Sequence, residues 1–154
     1  MKNRFLALVI LAACPISASA DEAAVAKQVE AGKISYMMCA ACHGMDGKGV
    51  AAGPSLMAPS LVGSKIALGD PALFALVLVN GIQKEGTEYL AMMAPLGAAL
   101  DDQKLADVMT YVRNSFDNKA AAVTAEDAKK YRAQWKDTVG PISRAKIAEL
   151  SAKK

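Results

Sequence analysis

Two thiols and an imidazole stand within five residues in Cys39-Ala40-Ala41-Cys42-His43. In the C-x-x-C-H pattern each cysteine adds its sulphur across a vinyl group of one porphyrin, and the histidine is held under the iron as its first axial ligand. The same thiols have rival readings, as half of a zinc site or as a thioredoxin-like redox pair. Zinc wants two further Cys or His. The third cysteine, Cys14, lies in a stretch that reads as a leader, and His43 is the sole histidine. A thioredoxin-like pair follows a strand in a βαβ unit, whereas the flanks here read as helix. Covalent haem is the chemistry these residues support best.

Composition agrees. The chain is 53% apolar but only 5% aromatic, so alanine supplies much of the apolar count and fills little volume. Such a core is thin for its length unless something large and flat occupies it, and a porphyrin would.

The first residues set an expectation of export. Met1-Lys2-Asn3-Arg4 is a positive n-region, Phe5 to Ala13 is a short apolar run, Pro15 breaks it, and Ala18-Ser19-Ala20 is a cleavage pattern. Residues 1–20 thus read as a signal peptide. Leu11-Ala12-Ala13-Cys14 also resembles a lipobox, which would make Cys14 a lipid anchor; Pro15 directly after it favours ordinary secretion. Either route leads out of the cytoplasm, where c-type haem is attached. Losing Lys2 and Arg4 with the leader takes 18 basic residues to 16, against 15 acidic. That near-neutral balance offers no strongly basic face for nucleic acid. No later apolar run reaches transmembrane length.

The elements that must position the motif read as helices, without strand-like alternation. Asp21 to Met38 is expected to be helical and to deliver the chain into the motif. His43 to Ser64 reads as a Gly/Pro-rich loop. Asp70 as N-cap and Pro71 at the first position open a helix that Gly81 stops. Ile82 to Ala99 is irregular. Asp101 or Asp102 caps a further helix with Leu105, Val108, Val112 and Phe116 as its apolar stripe. Thr124 with Asp127 resembles a capping box and opens a helix through about Lys136. Val139-Gly140-Pro141 breaks it, and a short basic segment, 143–154, closes the chain. The simplest expectation for 119–154 is a helix packed on the domain with a frayed tail, rather than a docking arm.

Across roughly 21–118 this order resembles the class I cytochrome c family: helix, C-x-x-C-H, Gly/Pro-rich loop, middle helix, Met-bearing loop, last helix. The resemblance implies an all-α fold, a small helical domain wrapped around one covalent haem c, here with a C-terminal helical extension over 119–154. It implies that Gly32, ahead of Tyr36 and Cys39, lets the first and last helices cross closely, with Tyr111 at the crossing. It also implies a methionine as second iron ligand. Met93-Ala94-Pro95 fits the family's spacing before proline, with Met92 as the alternative. The carbonyl that orients His43 belongs in the family to a proline ahead of Leu-x-Gly. Pro59-Ser60-Leu61-Val62-Gly63 matches, with Pro54 as runner-up.

A haem closed by two protein ligands suits one-electron transfer rather than chemistry on a small molecule. The resemblance therefore implies a non-enzymatic periplasmic carrier between a dehydrogenase and an acceptor cytochrome or oxidase. A fixed haem subunit of a dehydrogenase or oxidase complex is the second expectation, since similar extended cytochromes serve there. A haem enzyme or gas sensor is the third and requires Met93 not to bind.

Overall fold

A computed structural model describes residues 17–86 and 88–152, with side chains from Asp21 onward. The n-region, the apolar run and Cys14 lie outside the described residues. Six helices follow in order: α1 Ser17–His43, α2 Lys65–Leu68, α3 Pro71–Asn80, α4 Asp102–Asn114, α5 Ala125–Gln134 and α6 Arg144–Ala152.

The first helix is longer than the sequence suggested. It does not stop at Met38 but carries the whole Cys39–His43 motif on its last turns. The reason is local: Cys-Ala-Ala-Cys contains no breaker, and the first residue unsuited to a helix is Gly44, which takes a positive φ of 77°. The expected loop after His43 also contains a small antiparallel pair, β1 Ala51–Ala52 with β2 Ser55–Leu56, turned by Gly53-Pro54. Two-residue strands leave no alternation to read. Phe116, expected on the α4 stripe, lies past the helix end with φ 60°.

Caps stand where the sequence put them. Asp70 accepts from the Ala72 amide at 3.0 Å, with Pro71 starting α3. Asp101, not Asp102, caps α4 by accepting from Lys104 N at 2.8 Å. Thr124 and Asp127 form a reciprocal capping box on α5, which ends at Gln134.

The first and last haem-domain helices, α1 and α4, cross at Gly32. A Cβ built there would meet the Asp107 carbonyl oxygen at 2.0 Å and Tyr111 Cβ at 2.7 Å, so only glycine admits this approach. α3 is buried along Ala72–Leu78 because apolar residues cover it on every side. One face joins Tyr36, Leu100, Leu105, Val108 and Met109 of the main core. Its other face, with Leu73, Leu76 and Val77, meets Ile142 and Ile147.

Residues 125–152 are thus part of the packing. α5 lies on α3 and α4, where Trp135 Nε1 donates to Ala72 O at 2.7 Å and Arg132 pairs with Asp102 at 2.8 Å. The segment expected to fray forms α6 through Ala152, with Ile147 buried. Through Ile142 the chain lies parallel to Ile82, exchanging Ile142 N to Gly81 O at 3.1 Å and Gln83 N to Ile142 O at 3.0 Å.

Candidate haem site

At the C-terminal end of α1, Cys39, Cys42 and His43 face a cavity of about 370 Å³. Helical spacing sets the two cysteines three apart on one side of α1, and the histidine follows on the next turn position. The end of the helix is fixed by backbone bonds: Gly49 N donates to His43 O at 2.7 Å and Val50 N to Cys42 O at 3.0 Å. Tyr36, fully buried, donates its hydroxyl to Gly44 O at 2.8 Å. Its ring packs with Tyr111 and Phe116 at centroid distances of 5.1 and 5.4 Å. Positioning of the motif therefore reaches directly to the α1/α4 crossing.

His43 is buried, and its Nδ1 lies 2.9 Å from the Pro59 carbonyl oxygen. A carbonyl only accepts, so Nδ1 carries the proton and Nε2 keeps the lone pair that a metal needs. Burial lowers the imidazole pKa below its ordinary value, and the bond to Pro59 partly opposes that. The neutral form, the one that ligates, is the one favoured. Burial, with Cys42 beside it, pushes the Cys39 thiol up to about 11.

The Pro59 loop is held by Asn118, which sequence reasoning did not single out. This buried side chain donates to Leu61 O at 3.0 Å and Val112 O at 2.9 Å, and accepts from Gly63 N at 2.9 Å. Leu61 N also donates to Gly47 O at 2.7 Å. Pro54, the alternative, sits on the turn of the β1–β2 pair; the cavity wall contains Pro59 and not Pro54.

Met92 and Met93 both line the cavity. Their surroundings differ. Met92 is 47% exposed, while Met93 is half-buried against both core clusters. Its backbone pairs with Ile82, N to O at 3.1 Å and O from N at 2.9 Å. Gly81, φ 73°, permits this pairing, because a Cβ there would meet Met93 O at 2.2 Å. On its other side the loop is tied by Leu90 N to Leu56 O at 3.0 Å and Ala91 N to Met57 O at 3.1 Å.

The cavity suits a haem. Among its described lining residues are two thiols, one oriented imidazole and two thioethers at 92–93, within walls that include Phe74, Leu78, Val108 and Val112. Among the described residues that line it, the cationic side chains are Lys65 and Arg144 and none is Asp or Glu, which fits a flat apolar ring carrying two carboxylates.

The sequence profile of the family described as Cytochrome c matches residues 29–116. This chain belongs to the cytochrome c family. Covalent haem c is the cofactor that comes with that membership, and electron transfer the work of such a domain. The matched span runs from within α1 to just past α4 and contains every candidate site residue. Among curated relatives, the cytochrome c subunit of a quinone alcohol dehydrogenase is 36% identical over 113 residues in both Gluconacetobacter polyoxogenes and Komagataeibacter europaeus. Those alignments cover 68% of this chain and 22% of each relative. The gluconate 2-dehydrogenase cytochrome c subunit of Pantoea cypripedii is 34% identical over 100 residues, covering 61% of this chain and 22% of the relative. This cytochrome c thus spans about a fifth of the length of the relatives it matches. Among the described residues no helix is long and apolar enough to cross a membrane.

Proposed function

We propose that this chain passes single electrons through one haem c, which Cys39 and Cys42 would hold through thioether bonds and His43 and Met93 would hold through the iron. The bound group supplies a ferric/ferrous couple, its potential raised by a soft thioether donor and apolar burial. The protein's own work is to hold and shield. Pro59 fixes the imidazole tautomer and strengthens it as a donor. The Ile82–Met93 pairing holds the thioether loop against the core, so little has to rearrange when charge changes. With His43 and Met93 both engaged, small molecules would be kept from the metal, which favours a carrier over an enzyme. Met38 and Met92 line the cavity and are exposed, so its wall reaches the surface where a redox partner docks. The observation that carries this reading is one cavity lined by both thiols, the Pro59-bonded His43 and the half-buried Met93.

Residues 1–20 act as a signal peptide, 21–118 form the haem domain, and 119–154 are its extension. The protein works in the periplasm, receives electrons from a dehydrogenase and gives them to an acceptor cytochrome or oxidase. A fixed haem subunit of a dehydrogenase complex is a second reading, favoured by the relatives, whose names are those of dehydrogenase cytochrome c subunits. Co-purification with a dehydrogenase at fixed stoichiometry selects it over a free carrier.

The test of the closed site is the ferrous visible spectrum with and without carbon monoxide. An unchanged spectrum is expected; a shifted one overturns Met93 ligation and returns the open-site enzyme or sensor.

A further inference from the structure

We propose that the C-terminal extension completes the haem site, with the Arg144 guanidinium as counter-cation to a haem carboxylate. The inference rests on the haem reading above and assigns a role to residues beyond the span the family profile matches, 29–116.

Three observations carry it. Arg144, the first residue of α6, lines the cavity together with Lys65, and among the described residues no acid joins them there. A haem brings two carboxylates, and a carboxylate shut in an apolar cavity without a cation is costly.

The backbone beneath Arg144 is fixed to the distal loop. Ile142 pairs with Gly81 and Gln83 while Ile82 pairs with Met93, so three chain segments lie side by side. Ile142 and Ile147 are buried against Leu73, Leu76 and Val77. The start of α6 therefore cannot drift from the cavity without unpacking α3.

The guanidinium is only loosely engaged. Its Nε lies 3.9 Å from Glu85 Oε2, its carbon 5.3 Å from the Tyr89 ring centroid, and the side chain is 43% exposed. An exposed pair at that distance contributes little. The Glu85 carboxylate also accepts the Arg144 backbone N–H, at 3.1 and 3.3 Å, and this anchors the helix start wherever the guanidinium points. The guanidinium fork is free to turn to a carboxylate in the cavity, a stronger two-bonded partner.

The test uses the full-length holoprotein and its Arg144→Gln and Arg144→Lys variants. Two quantities are read: the haem-carboxylate bending band in resonance Raman spectra, and the midpoint potential. In Arg144→Gln the band moves and the ferric state gains up to about tenfold over the ferrous, a fall of up to about 59 mV for one electron. Arg144→Lys restores most of both. A potential that moves while the band stays put overturns the pairing, as does a Gln variant identical to wild type. Should Arg144→Gln not fold, Arg144→Lys decides, since exchanging the two-bonded fork for a single-point ammonium moves the band part of the way; an unmoved band there overturns the proposal. The ferric thioether absorption is recorded alongside. Its absence in the wild type would sink Met93 ligation without touching the Arg144 assignment.

Discussion

Met92 and Met93 are neighbours in sequence with different surroundings, and the difference makes a direct prediction. Met93 is half-buried and pinned to Ile82, whereas Met92 is 47% exposed. Met93→Ala should abolish the weak ferric thioether-to-iron absorption near the red end of the spectrum, while Met92→Ala leaves it. The reverse pattern would reassign the ligand. A second prediction concerns Asp127. The Thr124 hydroxyl donates to its carboxylate at 2.7 Å, and with the Thr124 amide and Lys130 this holds it below the ordinary 3.8. A carboxyl lowered in the folded state stabilises above its unfolded value and loses that as pH falls through the folded one. The stability advantage of wild type over Asp127→Asn, measured by denaturant titration, should therefore be full at neutral pH and vanish as pH drops below about 3.8. An advantage that persists in acid contradicts it. Residues such as Cys39, His43 and Asp127 were legible because their partners are close in sequence or their spacing is distinctive. Asn118 was not, because its three backbone partners come from Leu61, Gly63 and Val112, and an asparagine after a helix reads as a mere terminator.

The starts of α3, α4 and α5 announced themselves, as did the end of α3 at Gly81; the end of α1 and the short α2 did not. Asp70-Pro71, Asp101 and Thr124–Asp127 each carry the cap within three residues. The end of α1 depends on Gly44 and on bonds returning from Gly49 and Val50, and these override a boundary drawn before the cysteines. The β1–β2 pair is too short to leave a periodic trace, and its fixing bonds come from the loop at 89–91. The α1/α4 crossing lay open to the sequence through Gly32 and Tyr111, and the clearance there allows no added carbon. Overpacking usually costs about 1–3 kcal/mol, and here the obstacle is a backbone carbonyl, so Gly32→Ala should cost the holoprotein about 3 kcal/mol in unfolding experiments. A loss well under about 1 kcal/mol would mean the helices can separate without penalty. Gly32→Leu should prevent folding.

Residues beyond α4 reach the wall of the cavity, which Arg144 lines. They bury Trp135, Ile142 and Ile147 against α3, the helix that also backs the cavity with Phe74, Val77 and Leu78. Sequence reasoning expected a packed helix with a loose end, because the isolated Ile142 and Ile147 give no stripe long enough to betray a buried face. Trp135 donates to Ala72 O at 2.7 Å and is half-buried. Trp135→Ala should lower stability by about 2–3 kcal/mol, somewhat under the usual cost of truncating a fully buried aromatic. A neutral result would show that the extension packs without contributing. The most direct test of the whole account is a redox-titrated visible spectrum of the protein matured with haem-attachment machinery. It should show one covalent haem, a single one-electron transition, and a ferric thioether band that disappears on reduction. A colourless protein, a haem extracted by acidified solvent, or a ferric state without that band would contradict it.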